Sequence, residues 1–173
     1  TQNQKEEIGQ IVRDYLVNNP ELLIEVTREL EKRQANAQAA QHETYVTSNK
    51  TDIFRNGDDF ALGNPAAKLS IVEFFDYNCG WCKRALSEVQ KLVDTDKDVR
   101  LVMKELPIFG ADSEFAAKAA MASRLQGKYW DFHVALMKER RVTKANTMEI
   151  AEKVGLDVAK LKADMEKPEF EAA

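Results

Sequence analysis

The sequence predicts an α/β domain built around a strand–dithiol–helix unit and preceded by a separate helical region. Three observations carry this. An apolar, β-prone run, Ile71-Val72-Glu73-Phe74-Phe75, leads through Asp76-Tyr77-Asn78 to Cys79-Gly80-Trp81-Cys82, and a helical pattern follows at once. A second such run, Val99–Glu105, lies beyond a charged loop, so the two strands are expected to be parallel across a helical crossover. The first 48 residues carry helical periodicity that has no obvious partner in that unit.

In the N-terminal region, Ile8, Ile11, Val12, Tyr15 and Leu16 mark one apolar helix face. Asn19-Pro20 breaks it, with Asn19 as N-cap and Pro20 at the first position of a second helix. That helix is expected from Pro20 to about Gln41, striped by Leu23, Val26, Leu30, Ala37 and Ala40 and interrupted by Arg33. The stripe either folds back on the domain or pairs with copies of itself, and self-association is the favoured reading. Residues 42–51 lack periodicity and read as a linker.

From Thr51 the pattern changes. Asp52-Ile53-Phe54 and Phe60-Ala61-Leu62-Gly63 read as short strands around an Asn56-Gly57 turn. After Asn64-Pro65 comes the strand Leu69–Phe75, apolar enough to be buried on both faces. Helices are expected at Cys79–Val93, at Glu114–Leu125 behind the cap Ser113, at Tyr129–Met137, at Thr147–Val154 and at Val158–Glu166.

The 173 residues are 44% hydrophobic and 31% charged, with a net charge of −4. The chain can bury a core, and it gives no reason to expect nucleic acid or an anionic membrane as partner. No apolar run approaches a membrane span, and the Thr1 start shows no signal peptide.

Cys79 and Cys82 are the only cysteines. Residues three apart share a helix face and lie close enough to bridge. No second Cys pair or Cys/His cluster completes four metal ligands, so no metal or cofactor is expected. A redox dithiol is the favoured reading over an inert structural bridge. Cys79, at a helix N-terminus, would have its thiol pKa lowered by the unpaired N–H groups and act as nucleophile. Cys82, one turn on, would be the resolving thiol, and Gly80 and Trp81 would influence which redox state is favoured.

Leu69 to about Glu171 resembles the DsbA-family thiol:disulfide oxidoreductases of thioredoxin fold. The matching pieces are Val72–Lys83, Val102–Ile108, Gly127–His133 and Gly155-Leu156-Asp157, in the right order. Within the family the chain is most similar to bacterial members with an extra N-terminal helical region, the ScsC-like proteins. The resemblance implies a thioredoxin-like fold with a DsbA-type helical insertion, in residues 49–173, after an oligomerisation region in residues 1–48. It also implies cysteine-containing protein substrates, a membrane redox partner protein and a periplasmic location. The family's cis-proline loop and C-terminal strand–strand–helix unit have no counterpart, since the prolines are Pro20, Pro65, Pro107 and Pro168. A fragment of a longer chain, or a domain-swapped arrangement, is therefore expected, with the Leu69–Phe75 strand lacking a neighbour.

Two charges fall on expected strands. Glu73 matches the thioredoxin-like acid six positions before the first cysteine and would take the Cys82 proton during resolution. Lys104 would pair with it, and a purely structural ion pair is the equal alternative. His133, among Tyr129, Trp130 and Phe132, reads as packing. The expected activity is disulfide exchange, by isomerisation or oxidation. An oligomeric chaperone or a Cu(I)-binding dithiol protein is the alternative.

Overall fold

The computed structural model describes residues 1–170; the last three residues of the expected thioredoxin-like domain lie outside the described residues. The chain divides into two compact units, Thr1–Lys50 and Thr51–Ala173.

The first unit holds α1 (Gln2–Asn18) and α2 (Glu21–Ser48). Thr1 caps α1 in a reciprocal box with Gln4. Asn19 does not cap α2 as expected. Its side-chain amide and its backbone N–H both bond the Tyr15 carbonyl, so it closes α1 instead. The linker expected over residues 42–51 is largely helix, because α2 continues to Ser48 before Asn49 ends it by the same amide-to-carbonyl bond, here to Tyr45. Alanine and glutamine over Gln34–Gln41 favour helix strongly enough to carry it past the expected stop. Neither helix buries a residue.

The second unit opens within α3 (Lys50–Phe54), which occupies the strand expected at Asp52-Ile53-Phe54. Five residues carry too short a pattern to separate helix from strand by periodicity. Three strands follow: β1 (Phe60–Gly63), β2 (Leu69–Phe75) and β3 (Val99–Glu105), in the order β1-β3-β2. β3 pairs antiparallel with β1, Phe60 opposite Met103, and parallel with β2, Leu69 opposite Val99 through Phe75 opposite Glu105. β2 therefore has β3 as its one neighbour, the parallel partner expected across the crossover, and its other edge is unpaired among the described residues. The strand buried throughout its middle is β3, at the sheet centre; β2 is exposed at Leu69 and Phe74, half-buried between them and buried only at Phe75. Gly63 turns the chain at φ +80°, and a Cβ there would collide with the Val99 carbonyl oxygen, so close strand approach requires glycine.

α4 (Gly80–Thr95) crosses from β2 to β3. Beyond β3 come α5 (Ala111–Ser123), α6 (Tyr129–Lys138), α7 (Lys144–Lys153) and α8 (Val158–Met165). Ala116, Ala117, Ala119, Ala120 and Ala122 bury their small side chains, which lets α5 lie close to its neighbours. Phe75, Tyr77, Leu101, Met103, Phe132, Leu136, Ile150 and Leu161 join sheet and helices in one core. That core fixes the C-terminal end of β2, from which the cysteine turn springs.

Candidate functional site: the Cys79–Cys82 turn

After β2 the chain makes a tight turn at Asp76-Tyr77-Asn78, and each residue is tied down differently. Buried Asp76 accepts from the Ser113 hydroxyl at 2.7 Å, from the Asn78 N–H at 2.6 Å and from the Phe109 N–H at 3.0 Å. Asn78 pairs with the backbone of Val142 in both directions, accepting from its N–H at 2.8 Å and donating to its carbonyl at 3.0 Å. Its second amide hydrogen goes to Ser113. The fully buried Tyr77 hydroxyl donates to Glu105 Oε1 at 2.8 Å. All three side chains of the turn thus have fixed partners, so the residue that follows is held in place.

That residue is Cys79, the N-cap of α4, in an extended conformation. Its sulfur accepts from the Cys82 N–H at 3.4 Å, an N-cap bond made by sulfur in place of oxygen. Both cysteines are free thiols and half-buried. Partial burial opposes ionisation of Cys79, but hydrogen bonds from the Cys82 thiol and from the Cys82 and Trp81 backbone outweigh it, and its thiol pKa is lowered. The Cys82 thiol is pushed up, first by burial, then by its bond to Cys79 and by the charges of Cys79 and Glu73. The pair is electronically unequal, and the outer sulfur is the one that ionises more readily. Trp81, between them, is 75% exposed, and the Arg84 guanidinium lies 4.1 Å from its ring centre. Gly80 is exposed at the first helical position, where its carbonyl accepts from Arg84 Nε.

Glu73 lies on β2 opposite Met103, half-buried, its carboxyl pKa raised by burial. Its charge acts on Cys82, so the structure brings it near the dithiol. Lys104 does not pair with Glu73. It stands opposite Phe74, one residue along, and so projects from the other sheet face, where it binds Asp59 Oδ2 at 2.5 Å and the Asp52 carbonyl. A one-residue offset in a strand always separates two side chains in this way.

Sequence reasoning missed a buried cluster beside the turn. Glu105 Oε1 accepts from both the Tyr77 and the Tyr129 hydroxyls, while its Oε2 is buried without a partner. Burial chiefly drives the Glu105 carboxyl up to about 8, and the two tyrosine bonds only partly offset it. His133 Nδ1 lies 3.2 Å from the Tyr77 oxygen, its ring stacked on Trp130 and edge-on to Phe75. Burial holds this imidazole down at about 3. With the Tyr77 proton given to Glu105, His133 donates from Nδ1 to the Tyr77 oxygen. Glutamate at a strand end gives no signal of such burial; only an assembled core reveals it.

Among the described residues, no group of three or more His, Cys, Asp or Glu is placed to hold a metal, and no helix is long and apolar enough to cross a membrane. A dithiol at the N-terminus of the crossover helix of a β–α–β unit, with helices inserted after the second strand, defines a thioredoxin-fold protein of the disulfide-exchange class. Comparison with known proteins gives the family. The DSBA-like thioredoxin domain matches residues 70–173, and the chain belongs to that family. The N-terminal domain of the copper resistance protein ScsC matches residues 4–37. A thioredoxin-like oxidoreductase from Silicibacter pomeroyi DSS-3 is 50% identical with a TM-score of 0.69, over 70% of this chain and 71% of that one. BcfH of Salmonella enterica Typhimurium is 28% identical with a TM-score of 0.78, over 95% of this chain and 70% of that one. A Na(+)/H(+) antiporter, NhaA 3 of Salinispora tropica, is 30% identical over 103 residues, 58% of this chain. The match spans only 16% of that antiporter. Family and neighbours together support a general disulfide oxidoreductase role.

Proposed function

We propose that this chain exchanges disulfides in exported, cysteine-containing protein substrates through Cys79 and Cys82, in the periplasm, as a homo-oligomer joined through residues 1–48. The observation that carries it is the opposed tuning of the two thiols, with Cys79 lowered at the α4 N-cap and Cys82 raised one turn behind. In the oxidising direction, a substrate thiolate attacks Cys79 Sγ of the Cys79–Cys82 disulfide. A substrate–Cys79 bond forms, the internal bond breaks, and Cys82 leaves as a thiolate and gains a proton. A second substrate thiolate then displaces Cys79, so two electrons pass from the substrate dithiol to the protein pair. The reduced pair is reoxidised by a membrane redox partner protein. In the isomerising direction, the Cys79 thiolate opens a wrong substrate disulfide and leaves when the correct one forms. Cys82 rescues a stalled mixed disulfide by losing its proton and attacking Cys79. Glu73, near Cys82 and raised by burial, is the base for that proton. Gly80 and Trp81 stand between the two sulfurs in sequence and set the redox balance of the pair, and Lys104, on β3, acts only by tying that strand to Asp59 and Asp52.

Scrambled and reduced ribonuclease separate the two directions. Recovery of ribonuclease activity from the scrambled form is the expected result, and Cys79→Ser removes it along with oxidation of the reduced form. If only the reduced form is processed, the isomerase reading fails.

A further inference from the structure

Around the cysteine turn lies a run of charge opposite in sign to the chain as a whole. From the last residue of α6 to the first of α7 the chain reads Lys138-Glu139-Arg140-Arg141-Val142-Thr143-Lys144. Its position beside Cys79 is fixed at three points. Asn78, the residue before Cys79, grips Val142 through both backbone groups. Lys83 Nζ, four residues after Cys79, bonds the Glu139 carbonyl. Asn146 ties down the Arg141 carbonyl from the start of α7. The α4 side adds Lys83, which feels the charge of Cys79, and Arg84 over the exposed Trp81 ring.

The charges gathered there are Lys83, Arg84, Lys138, Arg140, Arg141 and Lys144. None takes part in the ion pairs found among the described residues, which are Arg33–Glu29, Lys104–Asp59 and Lys167–Asp164. Three acids lie among these cations, and the charges of Glu139 and Asp76 act on Lys83 and that of Asp76 on Cys79. Glu139 accepts from the Arg140 N–H, Asp112 accepts from the Lys144 N–H, and Asp76 is buried and triply bonded. Glu73, half-buried on β2, acts by its charge on Cys82. A molecule of net charge −4 thus carries six cations against three acids, a local cationic arc, on the two segments that flank its reactive sulfur. Such an arc raises the local concentration of anionic groups and speeds their encounter, by an amount that salt screens.

We propose that this arc selects substrate cysteines flanked by aspartate or glutamate, an inference that rests on disulfide exchange at Cys79. The substrate's carboxylates seat against Arg140, Arg141 and Arg84 while its thiolate attacks Cys79 Sγ, as charge complementarity at a docking surface governs partner choice.

The test uses the full chain in its oxidised form and three single-cysteine peptides whose flanks are acidic, neutral or basic. Two peptide thiols reduce one protein disulfide and leave as a peptide disulfide, and acid-quenched samples are scored for protein thiols. Each rate is divided by that peptide's rate with neutral 2-hydroxyethyl disulfide, which removes differences in thiol ionisation. At 10 mM salt, where screening reaches about 30 Å, the acidic peptide should react about tenfold faster than the neutral one, and the basic peptide slower. At 0.5 M salt the three should fall within about twofold. Arg140→Gln with Arg141→Gln should slow the acidic peptide about fivefold and leave the neutral one unchanged. Equal normalised rates overturn the proposal. So does an equal change for all three peptides in the variant, since the arc would then act on the Cys79 thiolate and not on substrate. If no peptide reacts, the exchange reading itself falls, and this inference with it.

Discussion

The two units of this chain use apolar residues in opposite ways. In residues 51–170, Phe75, Tyr77, Phe132, Leu136 and Leu161 vanish into a common core. In residues 1–50 nothing is buried, and Ile8, Ile11, Val12, Tyr15, Leu23, Val26 and Leu30 stand half or more exposed along two well-formed helices. One unit finds the complement to its apolar surface within its own sequence. The other carries the stripe without the complement, as expected of a surface whose complement is another copy. On the proposed self-association, the first unit depends on concentration and the second on its own packing.

The sharpest way to break that contrast is to cut a large side chain from each unit. Phe132 is fully buried, so Phe132→Ala should cost about 4 kcal/mol in urea unfolding of the full chain. Leu30 is 53% exposed, so Leu30→Ala should leave that transition in place while lowering the mass seen by light scattering toward the 19.6 kDa monomer. A Leu30→Ala variant with unchanged mass and a multi-kilocalorie loss would show that the stripe packs within one chain, and the comparison would collapse.

A second effect sharpens the account of the folded core, because Glu105 and His133 pull its stability in opposite directions with pH. The Glu105 carboxyl is raised from 4.5 to about 8, so between those values the folded state keeps a proton that the unfolded state has lost. Its contribution is full below pH 4.5 and lost as pH rises to 8. The His133 imidazole is lowered from 6.5 to about 3, so there the unfolded state takes a proton that the folded state refuses. Its contribution is full above pH 6.5 and lost as pH falls to 3. The two slopes cancel between pH 4.5 and 6.5, giving a plateau, and above 6.5 only the Glu105 slope remains, at most about 1.4 kcal/mol per pH unit. Urea midpoints at pH 5.5, 6.5, 7.5 and 8.5 should show that descent in the parent chain and its loss in Glu105→Gln. A descent of equal size in the variant would mean that Glu105 is charged in the folded state at neutral pH.

What could be read in the sequence divides along physical lines. β2 and β3 fall on the expected residues, because β-prone runs bounded by turn residues are a local signal. The Cys79 helix was equally legible, since its N-terminus coincides with the cysteine spacing itself. Errors arose where two local signals compete or where the deciding partner is distant. Asn19 caps either the helix behind it or the one ahead, and only the backbone geometry chooses. Lys104 and Glu73 look like a pair in a list of charges, but strand alternation sends them to opposite faces and Asp59 claims the lysine. The Tyr77–Glu105–Tyr129–His133 cluster joins positions up to 56 residues apart, and no local pattern announces it. Asn78 was read only as part of a motif. Its grip on Val142, 64 residues away, became visible when the inserted helices folded back onto the turn.

The smallest effect tests the exposed helices again. Arg33 Nε bonds Glu29 Oε1 at 2.9 Å across one turn of α2, with the two side chains 75% and 51% exposed. Glutamate four residues before the cation is the favourable order, yet such a pair in water contributes only about 0.3–0.5 kcal/mol. Arg33→Ala should therefore reduce helicity slightly at 10 mM salt and not at all at 1 M salt, where screening has already removed the attraction. Circular dichroism at 222 nm, with light scattering at matched concentrations, checks both. A loss above about 1 kcal/mol that survives high salt would mean that Arg33 is enclosed by another copy in solution. The interruption it makes in the apolar stripe would then be part of the contact, setting the register in which the copies pair.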